Sequence, residues 1–185
     1  MQKTIYFDID GIILNFAGPF ATFWNNNGYK QISDNPSDWT FGIDLNNDNL
    51  KNALELFHKI HEHLPLMDPD IPQILKQLQK AYRIELVTSY PHVDKRIENL
   101  LFHDIACDKL ICDISDKLSY VKGCEDNGSI IIAIFEDSPS HLDKYLPHYS
   151  GKLWAPHYWN YLQDYKQCNG IQFYHSCFEW LKLLE

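Results

Sequence analysis

No stretch of this chain approaches the roughly 18 apolar residues needed to cross a bilayer. The longest apolar run, residues 130–135, has only the length of a strand. Basic residues are scarce: 16 Lys and Arg stand against 25 Asp and Glu, a formal charge of −9. That balance repels phosphate backbones and anionic lipid, which argues against a nucleic-acid polymer or a membrane surface as partner. The cysteines lack any paired pattern. Cys107, Cys112, Cys124, Cys168 and Cys177 are odd in number and contain no Cys-x-x-Cys, so neither a zinc knuckle nor a dithiol redox motif is indicated. Free thiols fit a reducing, cytoplasmic setting. The N-terminus reaches Asp8 too early for a secretory signal. Internal repeats, low-complexity tracts and long Gly/Ser linkers are also missing.

What is present suits one globular domain with room for a small insertion: 185 residues, 45% apolar and 22% charged. Short apolar runs at residues 4–7, 83–87 and 130–135 read as strands, with weaker candidates at 109–112, 152–154 and 171–174. The run at 130–135 is continuously apolar and β-branched, as a parallel strand covered on both faces would be. Helical spacing lies between the runs. Residues 70–81 carry Ile71, Ile74, Leu75 and Leu78. Residues 91–102 read as a helix opened by Pro91, with Val93, Ile97, Leu100 and Leu101 turned inward. Residues 140–146 and 176–184 read likewise. Alternating strands and helices predict an α/β, Rossmann-like three-layer sandwich with a mainly parallel sheet. Residues 16–66 break the alternation and read as a small helical cap inserted after the first strand, which leaves 1–15 and 67–185 as the core domain.

In such sheets, ligands bind beyond the carboxyl ends of the strands. The first strand is followed by Asp8-Ile9-Asp10-Gly11, the second by Thr88-Ser89, and the third long run by Glu136-Asp137-Ser138. Asp116-Lys117 follows a weaker segment. Two carboxylates about 4 Å apart repel by about 4 kcal/mol at an effective dielectric near 20. Asp8, Asp10 and Asp137 therefore need a cation to share one site with a phosphate, and Mg²⁺ with oxygen ligands supplies it. Lys117 adds a second positive charge.

These residues, in this order, resemble the haloacid-dehalogenase superfamily of phosphatases, and the four motifs span nearly the whole chain. Within it the 5′-deoxyribonucleotidases are the nearest match, through the compact length, a cap after the first motif, the Thr-Ser pair, the Asp-Lys, the adjacent acids and Phe16 in the place of a base-stacking aromatic. The resemblance implies an enzyme that hydrolyses a small phosphomonoester, most plainly a (deoxy)nucleoside 5′-monophosphate. Asp8 is then the nucleophile that forms an aspartyl-phosphate, and Asp10 the general acid and base. Gly11 permits the backbone turn that brings Asp10 back over the site. Asp8, the Asp10 carbonyl and Asp137 would hold Mg²⁺. Thr88 and Ser89 would reach phosphate oxygens, Lys117 would neutralise the phosphate, and Glu136 would stand behind the metal site. His141 replaces the further acid that many relatives carry.

Phe16, Phe20, Phe23 and Trp24 share helical spacing, so most of that stripe is core, and Phe16 alone is assigned to a base pocket. Trp39 and Phe41 sit in a turn-rich loop from which they can stack on a base, and His92 follows the second motif closely enough to reach substrate. His58, His61, Glu62 and His63 do not follow metal-ligand spacing and read as a polar cap face. The aromatic tail at 154–159 reads as packing for the sheet edge. Two alternatives remain: a phosphatase for a sugar phosphate or other small metabolite, and a non-catalytic phospho-signalling module of the receiver type. Receivers place their acceptor aspartate after a later strand, whereas here Asp8 and Asp10 share the first. A homodimer is compatible with the sequence.

Overall fold

The computed structural model describes residues 2–44, 48–60 and 63–185. Six parallel strands form one sheet in the order β3-β2-β1-β4-β5-β6. They are β1 (Gln2–Phe7), β2 (Arg83–Val87), β3 (Lys109–Ile111), β4 (Ser129–Phe135), β5 (Leu153–Pro156) and β6 (Ile171–Tyr174). The chain runs outward from β1 through β2 to β3, returns to β4 beside β1, then continues to β5 and β6. The point where that order reverses lies between β1 and β4, where a doubly wound sheet opens its crevice.

Side-chain alternation sends each strand's apolar residues into two cores. On one face Ile5, Phe7, Ile84, Leu86, Ala133 and Phe135 meet Ile71, Ile74, Leu75 and Leu78 of α3 (Ile71–Leu78), Leu100 of α4 (Val93–Phe102) and the C-terminal Trp180. On the other face Tyr6, Val87, Ile131 and Ile134 meet Val121 of α5 (Lys117–Asp126) and Leu142, Tyr145 and Tyr149 of α6 (Pro139–Tyr149). Phe7 and Phe135 stack with ring centroids 4.3 Å apart directly beneath the site. Each is fully buried, and truncating such a ring typically costs about 3–5 kcal/mol. The strand ends that follow Phe7 and Phe135 therefore rest on a tightly packed ring pair.

Two predicted helices depart from expectation. α4 starts at Val93, with His92 at its N-cap, so Pro91 lies outside it. Its buried face is Arg96, Asn99 and Leu100, while Val93, Ile97 and Leu101 are 45%, 41% and 71% exposed. Two polar contacts set this rotation: Arg96 binds Asp10, and Asn99 Oδ1 accepts the Leu64 N–H at 3.1 Å. The second departure is the segment Cys177–Leu184, a 3-10 helix. Cys177 and Trp180 are buried and Leu183 packs partly against the same core, a period of three that the tighter helix satisfies and the α-helix does not.

Residues 16–66 include α1 (Ala17–Asn26) and α2 (Asp48–Ile60). Phe20, Phe23 and Trp24 of α1 pack with Leu50, Ala53 and Phe57 of α2 in a cluster continuous with the first core. The chain enters and leaves this region side by side: the Asn15 N–H donates to Pro65 O at 2.8 Å and the Met67 N–H to Ile13 O at 2.9 Å. Among the described residues no helix is long and apolar enough to cross a membrane.

Candidate active site

The sheet itself aligns the candidate residues. Past each strand end one more ladder-like bond holds the next residue in place: the Asp8 N–H donates to Phe135 O at 2.9 Å, Thr88 to Ile111 O at 2.9 Å, and Glu136 to Trp154 O at 3.0 Å. Asp8, Thr88 and Glu136 therefore leave the sheet at one edge. Lys117 joins them from the first turn of α5, whose N-cap Asp116 accepts the Ser119 N–H. Asp8, Thr88 and Lys117, with Asp137 and residues of the 16–66 segment, line a cavity of about 290 Å³, and Glu136 lies behind it.

Its floor is acidic. Lys117 Nζ lies 2.7 Å from Asp8 and 3.0 Å from Glu136, and its side chain is only 3% exposed. Burial alone would lower the Lys117 pKa, but the two carboxylates outweigh it and hold the ammonium charged. Glu136 is driven below the usual carboxylate range despite its burial, by Lys117 and by His141, whose Nδ1 lies 3.2 Å away. It also accepts the Asp137 and Ser138 N–H groups, so it acts as a scaffold behind the floor. Burial first, then Glu136, pushes Asp8 well above its ordinary value, with Lys117 opposing. Burial and Glu136 likewise push Asp137 up to about 8, against a hydrogen bond from Tyr161. One lysine therefore does not neutralise this carboxylate cluster.

That imbalance is the test of fit for a divalent cation, and the residues pass it: the donors are hard oxygens, buried, and left electrostatically unsatisfied by the protein. Asp8 and Asp137, with the main-chain carbonyl of Asp10, are the expected ligands. A second set of donor atoms, from Asp8, Glu136 and His141, lies within 4.8 Å of one another. Glu136 already serves Lys117, His141 and two backbone N–H groups, so the first set leaves more oxygen free.

Gly11 makes the floor possible. Its φ is +82°, and an added Cβ would fall 2.0 Å from Asp137 Oδ2. Its carbonyl accepts from Tyr158 Oη at 3.2 Å and Trp159 Nε1 at 3.1 Å, and Tyr161 Oη donates to Asp137 Oδ2 at 2.6 Å. The segment around the 3-10 helix Asn160–Gln167 thus braces both the first and the fourth motif. Trp159 also lines the cavity, so this part of the aromatic tail is a wall of the site and not merely packing for the sheet edge.

The predicted residues are placed as follows. Asp8, Asp10, Thr88, Ser89, Lys117 and Asp137 all line the cavity. Thr88 is buried, and its Oγ1 accepts the Tyr90 N–H and sits 3.4 Å from Asp10 Oδ2. The Ser89 hydroxyl donates to Ile114 O at 2.9 Å, which occupies its proton. Phe16, Trp39 and Phe41 line the upper part; Phe16 stacks on Phe20, and Trp39 is 41% exposed. His92 is exposed and is not among the lining residues; its ring centre is 6.1 Å from that of His58.

The polar cap face is corrected in part. His58 lines the cavity between Phe16 and Tyr90, and burial lowers its pKa to about 4, with Asp10 opposing. His63 is exposed and stacks on Phe102. His61 and Glu62 lie outside the described residues. The sequence reading missed Arg96, Tyr90 and Tyr161 as site residues. Arg96 was hidden by a misleading apolar stripe on α4. Tyr161 follows an aromatic-rich segment that was a usable signal.

Solved structures of haloacid-dehalogenase-superfamily hydrolases share this fold. One structure with this fold is a predicted phosphoglycolate phosphatase from Haemophilus somnus, 14% identical, with a TM-score of 0.66 over 100% of this chain and 98% of that one. Another is a haloacid-dehalogenase-like hydrolase from Streptococcus pneumoniae, also 14% identical with a TM-score of 0.66, covering 100% and 99%. A third is a superfamily hydrolase of subfamily IA, variant 1, from Geobacter sulfurreducens, 12% identical, with a TM-score of 0.63 over 99% and 100%. No protein-family model matches the sequence, and no curated protein does.

Proposed function

We propose that the protein is a Mg²⁺-dependent phosphohydrolase that cleaves a small phosphomonoester through an aspartyl-phosphate. Its preferred substrate on this reading is a (deoxy)nucleoside 5′-monophosphate. The observation that carries the proposal is one cavity with two unlike ends. Its floor gathers Asp8, Asp137 and Lys117, and its walls are Phe16, Phe20, Trp39, Phe41, Tyr90 and Trp159. The floor suits a phosphate and a divalent ion. The walls suit a flat, uncharged group such as a base.

On this reading Asp8 attacks phosphorus, and its contacts support that role: its Oδ1 accepts the Ile9 N–H at 2.7 Å and Lys117 lies against its Oδ2. Thr88 and Lys117 bind phosphate oxygens, and Asp10 exchanges the proton with the leaving oxygen. A bound Mg²⁺ supplies charge neutralisation at the phosphate. Among the described lining residues the only groups able to be cationic are Lys117, His58 and His141. Lys117 is held by two carboxylates, and His58 is neutral near pH 7. The cavity therefore offers little to a second anionic group, which disfavours a carboxylated or doubly phosphorylated substrate.

The deciding experiment is a panel of nucleoside 5′-monophosphates, sugar phosphates and phosphoglycolate, read by phosphate release. Nucleotides should lead, EDTA should silence the reaction, Mg²⁺ should restore it, and Asp8→Asn should abolish steady-state turnover. Uniformly low rates on nucleotides beside a fast sugar phosphate would defeat the nucleotide reading. A single stoichiometric phosphorylation without turnover would defeat the hydrolase reading in favour of a receiver-like role.

A further inference from the structure

We infer that Arg96 is a positioning residue, a fixed pivot on which the carboxyl group of Asp10 turns toward the leaving group. The inference rests on the phosphohydrolase reading above and adds a residue that none of the four motifs contains.

The two partners differ in freedom. Arg96 is 3% exposed at its side chain, whereas Asp10 is 29% exposed and borders the cavity. The guanidinium is pressed over the Tyr90 ring, 4.4 Å from the ring centre, and is carried by the buried face of α4. Asp10 is therefore the member able to move. The contact also has an unusual form for an arginine–carboxylate pair. A single nitrogen, Nη2, meets both oxygens, at 3.0 Å to Oδ1 and 2.7 Å to Oδ2. A two-nitrogen fork would lock the carboxylate plane. A single shared nitrogen lets the group rotate, keep one oxygen on Arg96 and offer the other to the cavity. The remaining restraint is slight, since Thr88 Oγ1 stands 3.4 Å from Oδ2.

The chemistry uses this arrangement twice. In the first step an Asp8 oxygen bonds to phosphorus and the bond from phosphorus to the ester oxygen breaks. The Asp10 proton passes to that oxygen, and the product alcohol leaves neutral. Arg96 then faces the charge left on Asp10. In the second step a water gives its proton to Asp10 while its oxygen bonds to phosphorus. The bond from phosphorus to Asp8 breaks and inorganic phosphate departs. Arg96 gains and loses no proton in either step; it keeps Asp10 at the place where both transfers occur.

The test compares two esters. A nucleoside 5′-monophosphate has a poor leaving group that needs the proton, and p-nitrophenyl phosphate has a good one that does not. In single-turnover experiments, which read the first step alone, Arg96→Leu should lower the rate of alcohol release from the nucleotide about 100-fold, the low end of general acid–base contributions, with at most about a fivefold loss on the aryl ester. KM should stay within about twofold, because the substrate's own contacts are untouched. Arg96→Lys, which keeps one cationic donor, should recover much of the nucleotide rate. Asp10→Asn should show the same ester selectivity, and adding an Arg96 substitution to it should change little, since the two act as one unit. If Arg96→Leu does not fold, Arg96→Lys and its combination with Asp10→Asn carry the test. Equal losses on both esters, additive losses in the double variant, or a faster Arg96→Leu enzyme would overturn the inference. A wild-type protein that hydrolyses neither ester would instead overturn the phosphohydrolase reading.

Discussion

Replacing Gly11 by alanine should disable the acidic floor, and the structure separates two reasons. Gly11 has φ +82°, and a left-handed backbone costs an L side chain about 1–2 kcal/mol. In addition, the new Cβ would lie 2.0 Å from Asp137 Oδ2 and 2.6 Å from its Cγ. Asp137 is not a flexible tip that swings aside: it is 5% exposed and held by Tyr161 at 2.6 Å. Displacing such a group by about 1 Å costs on the order of 100-fold in rate, or about 2.7 kcal/mol of barrier. Gly28→Ala isolates the backbone share, because Gly28 has φ +79° and nothing within 4 Å of an added Cβ. In urea unfolding both variants should lose about 1–2 kcal/mol of backbone origin. Only Gly11→Ala should lose about 100-fold in kcat/KM and bind Mg²⁺ more weakly by calorimetry. A Gly11→Ala protein with wild-type turnover would refute the argument, and so would equal activity losses in the two variants.

Lys117→Met leaves Asp8 and Glu136 buried without their cation, and breaking such a pair costs about 3–5 kcal/mol; a loss under about 1 kcal/mol in urea unfolding would contradict the described network. Tyr161→Phe keeps the ring and removes only the hydrogen bond to Asp137; Mg²⁺ affinity by calorimetry should fall about 10-fold or more, as for other groups that orient a metal ligand, and unchanged affinity would count against Asp137 as that ligand. His58 has a folded pKa near 4 against an ordinary 6.5, so the folded state binds fewer protons than the unfolded state between those values. Its contribution to stability is present above pH 6.5 and is lost as pH falls toward 4. His58→Phe should therefore flatten the acid side of the melting-temperature profile, and an identical acid-side slope would refute neutral burial of the ring.

The strands and the four motifs were legible because their signals are local. A β-branched run ending in an acid, or a hydroxyl after a second such run, names both the strand and the edge it faces. Asp8, Asp10, Thr88, Lys117 and Asp137 were found in this way, and the fold brings them into one cavity. Arg96 was not legible because helical periodicity ranks apolar residues as inward. On α4 that rule favours Val93, Ile97 and Leu101, yet an ion pair with Asp10, 86 residues away in the chain, rotates the helix the other way. His58 was misjudged for a related reason: a histidine among charged neighbours looks solvated until aromatic rings from another segment close over it. The C-terminal 3-10 helix was missed because period three and period 3.6 are hard to separate over eight residues.

The donors that brace Gly11 come from Tyr158 and Trp159, 147 and 148 residues further along the chain. Synthesis proceeds from the N-terminus, so Asp8 and Asp10 are made long before these donors, and Gly11 stays unbraced until Tyr158 and Trp159 have emerged. A ribosome-bound fragment that already displays Asp8 and Asp10 would lack the brace on the turn that follows them at Gly11. On the phosphohydrolase reading, catalytic competence should thus arrive only after Trp159 has been added and folded back onto the first strand.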